Sequence, residues 1–163
     1  MDSFFAAIIL FISLIPVYLF GSSPVQIRGS AMEPTLKANQ YYLTSKVHQS
    51  STLKRGDIVI YTPSQKKIAH VKRIIGLPGE TIIFKNGRVF IDDTELSEPY
   101  IVGETQTIQG STHIQADAPF RIPEGEYFLM GDNRPRSDDS RSYGTVKAAD
   151  ITKKLGICYK GCE

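Results

Sequence analysis

Hydrophobicity changes character once along this chain, and the change divides it in two. Phe4 to Phe20 is an apolar run of 17 residues with no charge, interrupted only by Ser13 and Pro16. As a helix it is about 26 Å long against a hydrocarbon core of roughly 30 Å, so it spans a bilayer if Gly21 and its flanks join it. Asp2 is the only charged side chain before the run, so the basic leader of a cleavable signal peptide is missing. Pro24 directly after Gly21 to Ser23 is a poor residue to follow a scissile bond. Residues 1–22 are therefore expected to be a retained transmembrane anchor, in preference to a buried helix or a cleaved leader.

Beyond Leu36 the pattern becomes short apolar runs separated by turn residues, with no sustained 3.6-residue period. Strands are predicted over Tyr41 to Val47, Asp57 to Tyr61, Ile68 to Ile75, Thr81 to Lys85, Arg88 to Asp92, Thr112 to Gln115, Tyr127 to Met130 and Lys154 to Tyr159. Asn86-Gly87 supplies the two positive φ angles of a type I′ hairpin turn. Both faces of that hairpin are apolar (Ile82, Ile83, Phe84, Val89, Phe90, Ile91), which predicts a hairpin covered on both sides. The expected fold is mostly β, a coiled β-sandwich or barrel-like domain over residues 23–163 behind one N-terminal transmembrane helix. Leu96 to Phe120 is polar and reads as a surface excursion.

Composition narrows the partners. With 163 residues the chain has room for one domain and an appendage, and a formal net charge of +2 is too mild to argue for nucleic acid. Few Lys or Arg flank the apolar run, so the positive-inside count is weak evidence on orientation. Cys158 and Cys162 form a disulfide if the domain faces an oxidising space, or stand as two thiols; neither has the neighbouring ligands of a metal site. His48, His70 and His113 are scattered and read as structural or exposed.

Lys72 is the first chemical candidate. Strand alternation puts it on the face of Ile68 and Ile74, where an ammonium is costly to desolvate and a neutral amine becomes available as a base. By itself the residue would usually snorkel to water. Its context argues otherwise. Arg55-Gly56-Asp57 precedes it, Gly76-Leu77-Pro78-Gly79-Glu80 follows, and Gly131-Asp132-Asn133-Arg134-Pro135-Arg136-Ser137-Asp138-Asp139-Ser140-Arg141 comes later. With Ser30-Ala31-Met32-Glu33-Pro34-Thr35 ahead of them, these segments resemble, in order and over nearly the whole chain, the bacterial type I signal peptidase family. Members of that family are membrane-anchored serine endopeptidases with a Ser/Lys dyad.

The resemblance implies a role for each matched position. The nucleophilic serine falls on Ala31, so the attacking oxygen is absent. The general base falls on Lys72, and Ser137 on the serine that orients its amine. Main-chain N–H groups at Gly29 and Ala31 match the oxyanion hole. Asp139 and Arg141 match a pair bracing the site from behind, and Asp132, Asn133 and Arg134 shape the turn that holds them. No cofactor or metal is implied. Expected partners are the signal peptides of preproteins and the lipid bilayer, and the expected location is the extracytoplasmic side of a bacterial cell membrane, with a single pass.

Without Oγ none of the covalent steps can start, and Ser30 faces the other way in an extended segment. The leading reading is thus a signal peptidase disabled at one position, as an engineered change that traps substrate or stops self-cleavage. The alternative is a natural pseudoenzyme that binds signal peptides without cutting them, although that function would not require Lys72 and Ser137. A self-cleaving Ser/Lys regulator would need a DNA-binding segment where Phe4 to Phe20 stands. A metal hydrolase is disfavoured because Asp132, Asp138 and Asp139 lie among Arg134, Arg136 and Arg141.

Overall fold

The computed structural model describes residues 22–48, 52–63, 68–101 and 115–162. Their strands are β1 (Ser23–Gln26), β2 (Tyr41–Lys46), β3 (Ile58–Tyr61), β4 (His70–Gly76), β5 (Thr81–Lys85), β6 (Arg88–Ile91), β7 (Thr94–Glu95), β8 (Phe120–Arg121), β9 (Glu126–Met130), β10 (Val146–Lys147) and β11 (Ile151–Lys160). A single helical turn, α1 (Ser140–Tyr143), sits between β9 and β10. Seven strands form one sheet in the order β1-β2-β11-β3-β4-β9-β10, and four form a second in the order β7-β6-β5-β8. The registered pairs in both sheets are antiparallel.

Irregularities curl the long sheet. Register shifts interrupt β11 against β2 and β3, and β4 against β9 between Ile74 and Gly76. At bulges of this kind the strand bends and its twist increases. Gly76 is required there for closeness: a Cβ would lie 3.2 Å from Phe128 Cβ and closer still to Ile122 Cδ1. From that point the chain turns through Leu77 to Glu80 into the second sheet.

Packing follows the two sheets. Ile82, Phe84, Val89 and Ile91 of the hairpin join Ile75, Ile122, Phe128 and Met130 in one core. Phe128 is its centre, with ring centroids 5.9 Å from Phe84 and 6.0 Å from Phe120. A second core gathers Leu53, Val59, Tyr61, Ile74, Leu129, Val146 and Ile151 around the middle of the long sheet. A third, smaller one buries Ile27, Met32 and Leu36 against Tyr42, Ile58, Val71 and Leu155.

The mostly-β expectation agrees with this architecture, and several details are corrected. The hairpin is fully buried on one face only: Ile83 and Phe90, paired across the strands, remain half-buried. Ile68 lies outside β4 and is 69% exposed, so the alternation argument for Lys72 begins only at His70. Strands β1, β7, β8 and β10 were not foreseen; the last three have two residues each, too short for a period to show, and β1 follows directly on the apolar run expected as an anchor. The strand expected over Thr112 to Gln115 lies outside the described residues, save Gln115, which is in no strand. Phe4 to Phe20 also lies outside them; among the described residues no helix is long and apolar enough to cross a membrane. Cys158 and Cys162 are joined by a disulfide with Cα atoms 6.0 Å apart, which resolves the choice that spacing alone left open.

Truncating the ring at the centre of the first core tests this packing. Phe128→Ala should lower the unfolding free energy by about 3–5 kcal/mol in chemical denaturation, a value reserved for large side chains in a core that cannot collapse around the void. A loss below about 1 kcal/mol would show that the two sheets do not close on Phe128 as described.

Candidate active site

The segment carrying Ala31 is held from below by its own side chains. Met32 and Leu36 are 3% and 2% exposed in the third core, and the Leu36 N–H donates to the Met32 carbonyl at 2.9 Å. It is held from above by Asn133, whose backbone N–H donates to the Ala31 carbonyl and whose Nδ2 donates to the Ser30 carbonyl, both at 3.0 Å. The backbone at position 31 is thereby fixed on both sides, whatever its side chain. Gly29 has φ +81°, a conformation costly for other residues, and turns the chain just before it. Among the described residues, nothing accepts from the N–H of Gly29 or of Ala31.

Lys72 reaches the same place from the middle of the long sheet. It pairs with Val59 across β3 and β4, is 3% exposed, and donates from Nζ to Ser137 Oγ at 2.8 Å. Lys72, Ala31 and Gly29 line one cleft of about 460 Å3, together with Ile27, Ile60 and Val71. Burial strips water from the ammonium and lowers the Lys72 pKa from its ordinary value. The charges of Asp139 and Asp138 oppose that shift, and the Arg141 guanidinium adds to it. Desolvation prevails because the Asp139 charge is already compensated.

That compensation organises the whole turn from Gly131 to Gly144. Asp139 is 0% exposed and takes Arg141 Nε at 2.7 Å, Arg141 Nη2 at 2.9 Å and the Gly131 N–H at 3.0 Å. Burial pushes its carboxyl upward, but the Arg141 fork, with help from Gly131 and the Ser137 hydroxyl, holds it below its ordinary value. Arg141 Nη2 also donates to the carbonyls of Arg134 and Ser137, at 2.8 and 3.1 Å. Gly131 closes the contact with the first segment, since a Cβ there would overlap the Ser137 hydroxyl and come within 2.5 Å of the Ala31 oxygen.

Asp132 and Arg134, expected to shape the turn, are paired with Arg73 and Glu98, partners that the motifs do not indicate. Arg73 binds Asp132 in a two-pronged pair, Nε to Oδ1 at 2.8 Å and Nη2 to Oδ2 at 2.6 Å, while its Nη1 reaches the Gly56 carbonyl at 2.9 Å. The same guanidinium lies 4.0 Å from the centre of the Tyr100 ring. Arg134 pairs with Glu98, and Arg55 with Glu80 at 2.5 Å. Arg73 directly follows Lys72 and Glu80 closes the Gly76–Glu80 segment, so a signal existed; Glu98 and Tyr100 lie in the polar excursion and carried none. His70 stacks on Tyr61 at 5.4 Å, His113 lies outside the described residues, and His48 is exposed.

The site thus brings Ala31, Gly29 and Lys72 to one cleft, with Ser137 bonded to the Lys72 amine and Asp139 and Arg141 behind it. Asp132 and Asp139 each hold a different arginine. This is a hydrolase-like arrangement centred on an amine. Comparison with known proteins identifies the family. The family model for signal peptidase, peptidase S26, matches residues 1–160, and the chain belongs to that family. A signal peptidase I of Bacillus licheniformis is 39% identical over 132 residues, covering 79% of this chain and 70% of that protein. Signal peptidase I T of Bacillus subtilis is likewise 39% identical over 132 residues, 79% of this chain and 67% of its own. A crystal structure of a signal peptidase I from Enterococcus faecalis is 34% identical, with a TM-score of 0.50, over 62% of this chain and 94% of that one.

The direction of the Lys72 shift sets a stability test. A lysine whose folded pKa is lowered binds fewer protons folded than unfolded, between that lowered value and the ordinary 10.5. Stability therefore rises with pH across this window, and the penalty is full below it. Lys72→Met removes the penalty, so its stability relative to the parent should be most favourable near neutral pH. The difference should shrink as pH approaches 10.5. Urea unfolding at the two pH values checks this, and a pH-independent difference would contradict it.

Proposed function

We propose that this chain has the apparatus of a membrane-anchored endopeptidase that removes signal peptides from preproteins, and that Ala31 leaves it without a nucleophile. The observation that carries the reading is the Lys72 Nζ to Ser137 Oγ bond of 2.8 Å, made by a lysine that lines the same cleft as Ala31. A serine at 31 would bring its hydroxyl to the mouth of that cleft on a backbone already fixed by Asn133. A neutral Lys72 takes the proton from that hydroxyl, Ser137 keeping the amine in position, and the oxygen attacks the scissile carbonyl. The N–H groups of residues 29 and 31 are the donors for the oxyanion. The amine then gives its proton to the leaving nitrogen, and water attacks the acyl-enzyme, with Lys72 again the base.

The substrate in this reading lies extended beside β1 and β4 with small side chains near the cut, its main chain hydrogen-bonded to strand edges. Residues 1–22 act as the anchor that keeps the domain of residues 23–163 at the bilayer, where the hydrophobic part of a signal peptide emerges. The Cys158–Cys162 disulfide supports an extracytoplasmic placement, because such bonds persist in oxidising compartments. Under the second reading, a natural module that binds signal peptides, the same cleft serves without Lys72 acting as a base.

Restoring the hydroxyl separates the two. Ala31→Ser should cleave a preprotein at its signal peptide junction, with turnover on the order of a millionfold above the parent, the scale on which a serine protease depends on its nucleophile. Its rate should rise with pH through the lowered Lys72 pKa, since only the neutral amine accepts the proton. No cleavage by a folded Ala31→Ser protein would favour the binding module.

A further inference from the structure

Replacing a hydroxymethyl by a methyl group at position 31 changes what the cleft can hold as well as what it can do. In an uncut chain the carbon facing Lys72 carries one oxygen and a nitrogen; at a free C-terminus it carries two oxygens and a negative charge. Serine Oγ would stand between that carbon and the amine. Alanine leaves space for a second carboxylate oxygen in the cleft that Lys72 also lines.

The surroundings suit an anion. Arg28, Lys72 and Lys153 line the cleft, and among the described residues no Asp or Glu does. Lys153 is held there by its bond to Ser23 Oγ at 2.8 Å. The N–H groups of Gly29 and Ala31, without acceptors among the described residues, border the same space and present the two main-chain donors that capture terminal carboxylates elsewhere. Of the carboxylates acting on Lys72, Asp139 is bound to Arg141, and Asp138 lines the neighbouring cleft with Tyr61 and Tyr143. His70 stands at the junction of the two clefts. An arriving carboxylate therefore meets net positive charge.

We propose that this chain captures peptides by their free C-terminal carboxylate, seated between Lys72 and the main chain of Gly29 and Ala31, and so prefers a released signal peptide to an uncut preprotein. This rests on the reading of the cleft as a signal peptide site and specifies its ligand. A peptidase must let such a product go, because a retained product blocks the next turnover. A chain without a nucleophile has no such requirement.

The test uses the whole chain in detergent micelles and fluorescence anisotropy with N-terminally labelled synthetic peptides. One peptide has alanine at its last and third-last positions and a free carboxylate; a second is its C-terminal amide; a third has the carboxylate but phenylalanine at those two positions. The free acid should bind at least about tenfold tighter than the amide, and the preference should fall to within about twofold in Lys72→Met and in Ala31→Ser. Equal binding of acid and amide, no binding of either, or a preference that survives in both variants would overturn the proposal. If the phenylalanine acid binds as tightly as the alanine acid, carboxylate capture stands and the signal peptide reading falls.

Discussion

The Asp139 carboxylate, fully buried behind the cleft, is the contact on which the rest of the site depends. Its two oxygens take the Arg141 fork and the Gly131 N–H, and the Nη2 of that fork also reaches the carbonyls of Arg134 and Ser137. One ion pair thus determines where Gly131, Arg134 and Ser137 stand. Through Gly131 and Asn133 it determines where the backbone of Ala31 stands, and through Ser137 where the Lys72 amine points. Buried pairs of this kind are not a cheap source of stability, and losing one partner typically costs about 3–5 kcal/mol because the other charge is left in a dry place. Their return here is geometric.

A second consequence is electrostatic. Lys72 sits near two aspartates, and a lysine beside an unpaired carboxylate would be held charged and useless as a base. Arg141 occupies Asp139, so burial decides the outcome and the amine is pushed toward neutrality. Arg73 plays the corresponding part for Asp132 on the other side of the turn. The turn can therefore be rich in charge and still leave the Lys72 amine easier to deprotonate than a free lysine. Asp132 and Asp139 each serve to hold an arginine.

Much of this was legible in the sequence, and the remainder was not for identifiable reasons. The Asn86-Gly87 hairpin was foreseeable because only a few residues accept two consecutive positive φ angles, here 52° and 75°. Lys72 and Ser137 were foreseeable as matched positions, although nothing in strand periodicity says that their atoms meet. The two-residue strands β7, β8 and β10 were hidden because so short a pairing is imposed by its neighbours in the sheet and leaves no periodic trace. Glu98 was hidden for a similar reason: its partner, Arg134, is 36 positions away. The hairpin's apolar outer face misled, since Ile83 and Phe90 stay half-buried, as β-branched and aromatic residues often do on a strand's open side.

The account turns on the state of one amine. Direct titration of Lys72, by carbon NMR of side-chain-labelled protein with the Lys72→Arg variant used for assignment, measures it in the folded chain. The midpoint should lie below the ordinary 10.5, and should fall further in a folded Asp139→Asn protein in which Arg141 loses its counter-charge. A Lys72 that titrates at or above 10.5 would contradict the claim that this cleft holds a base in waiting.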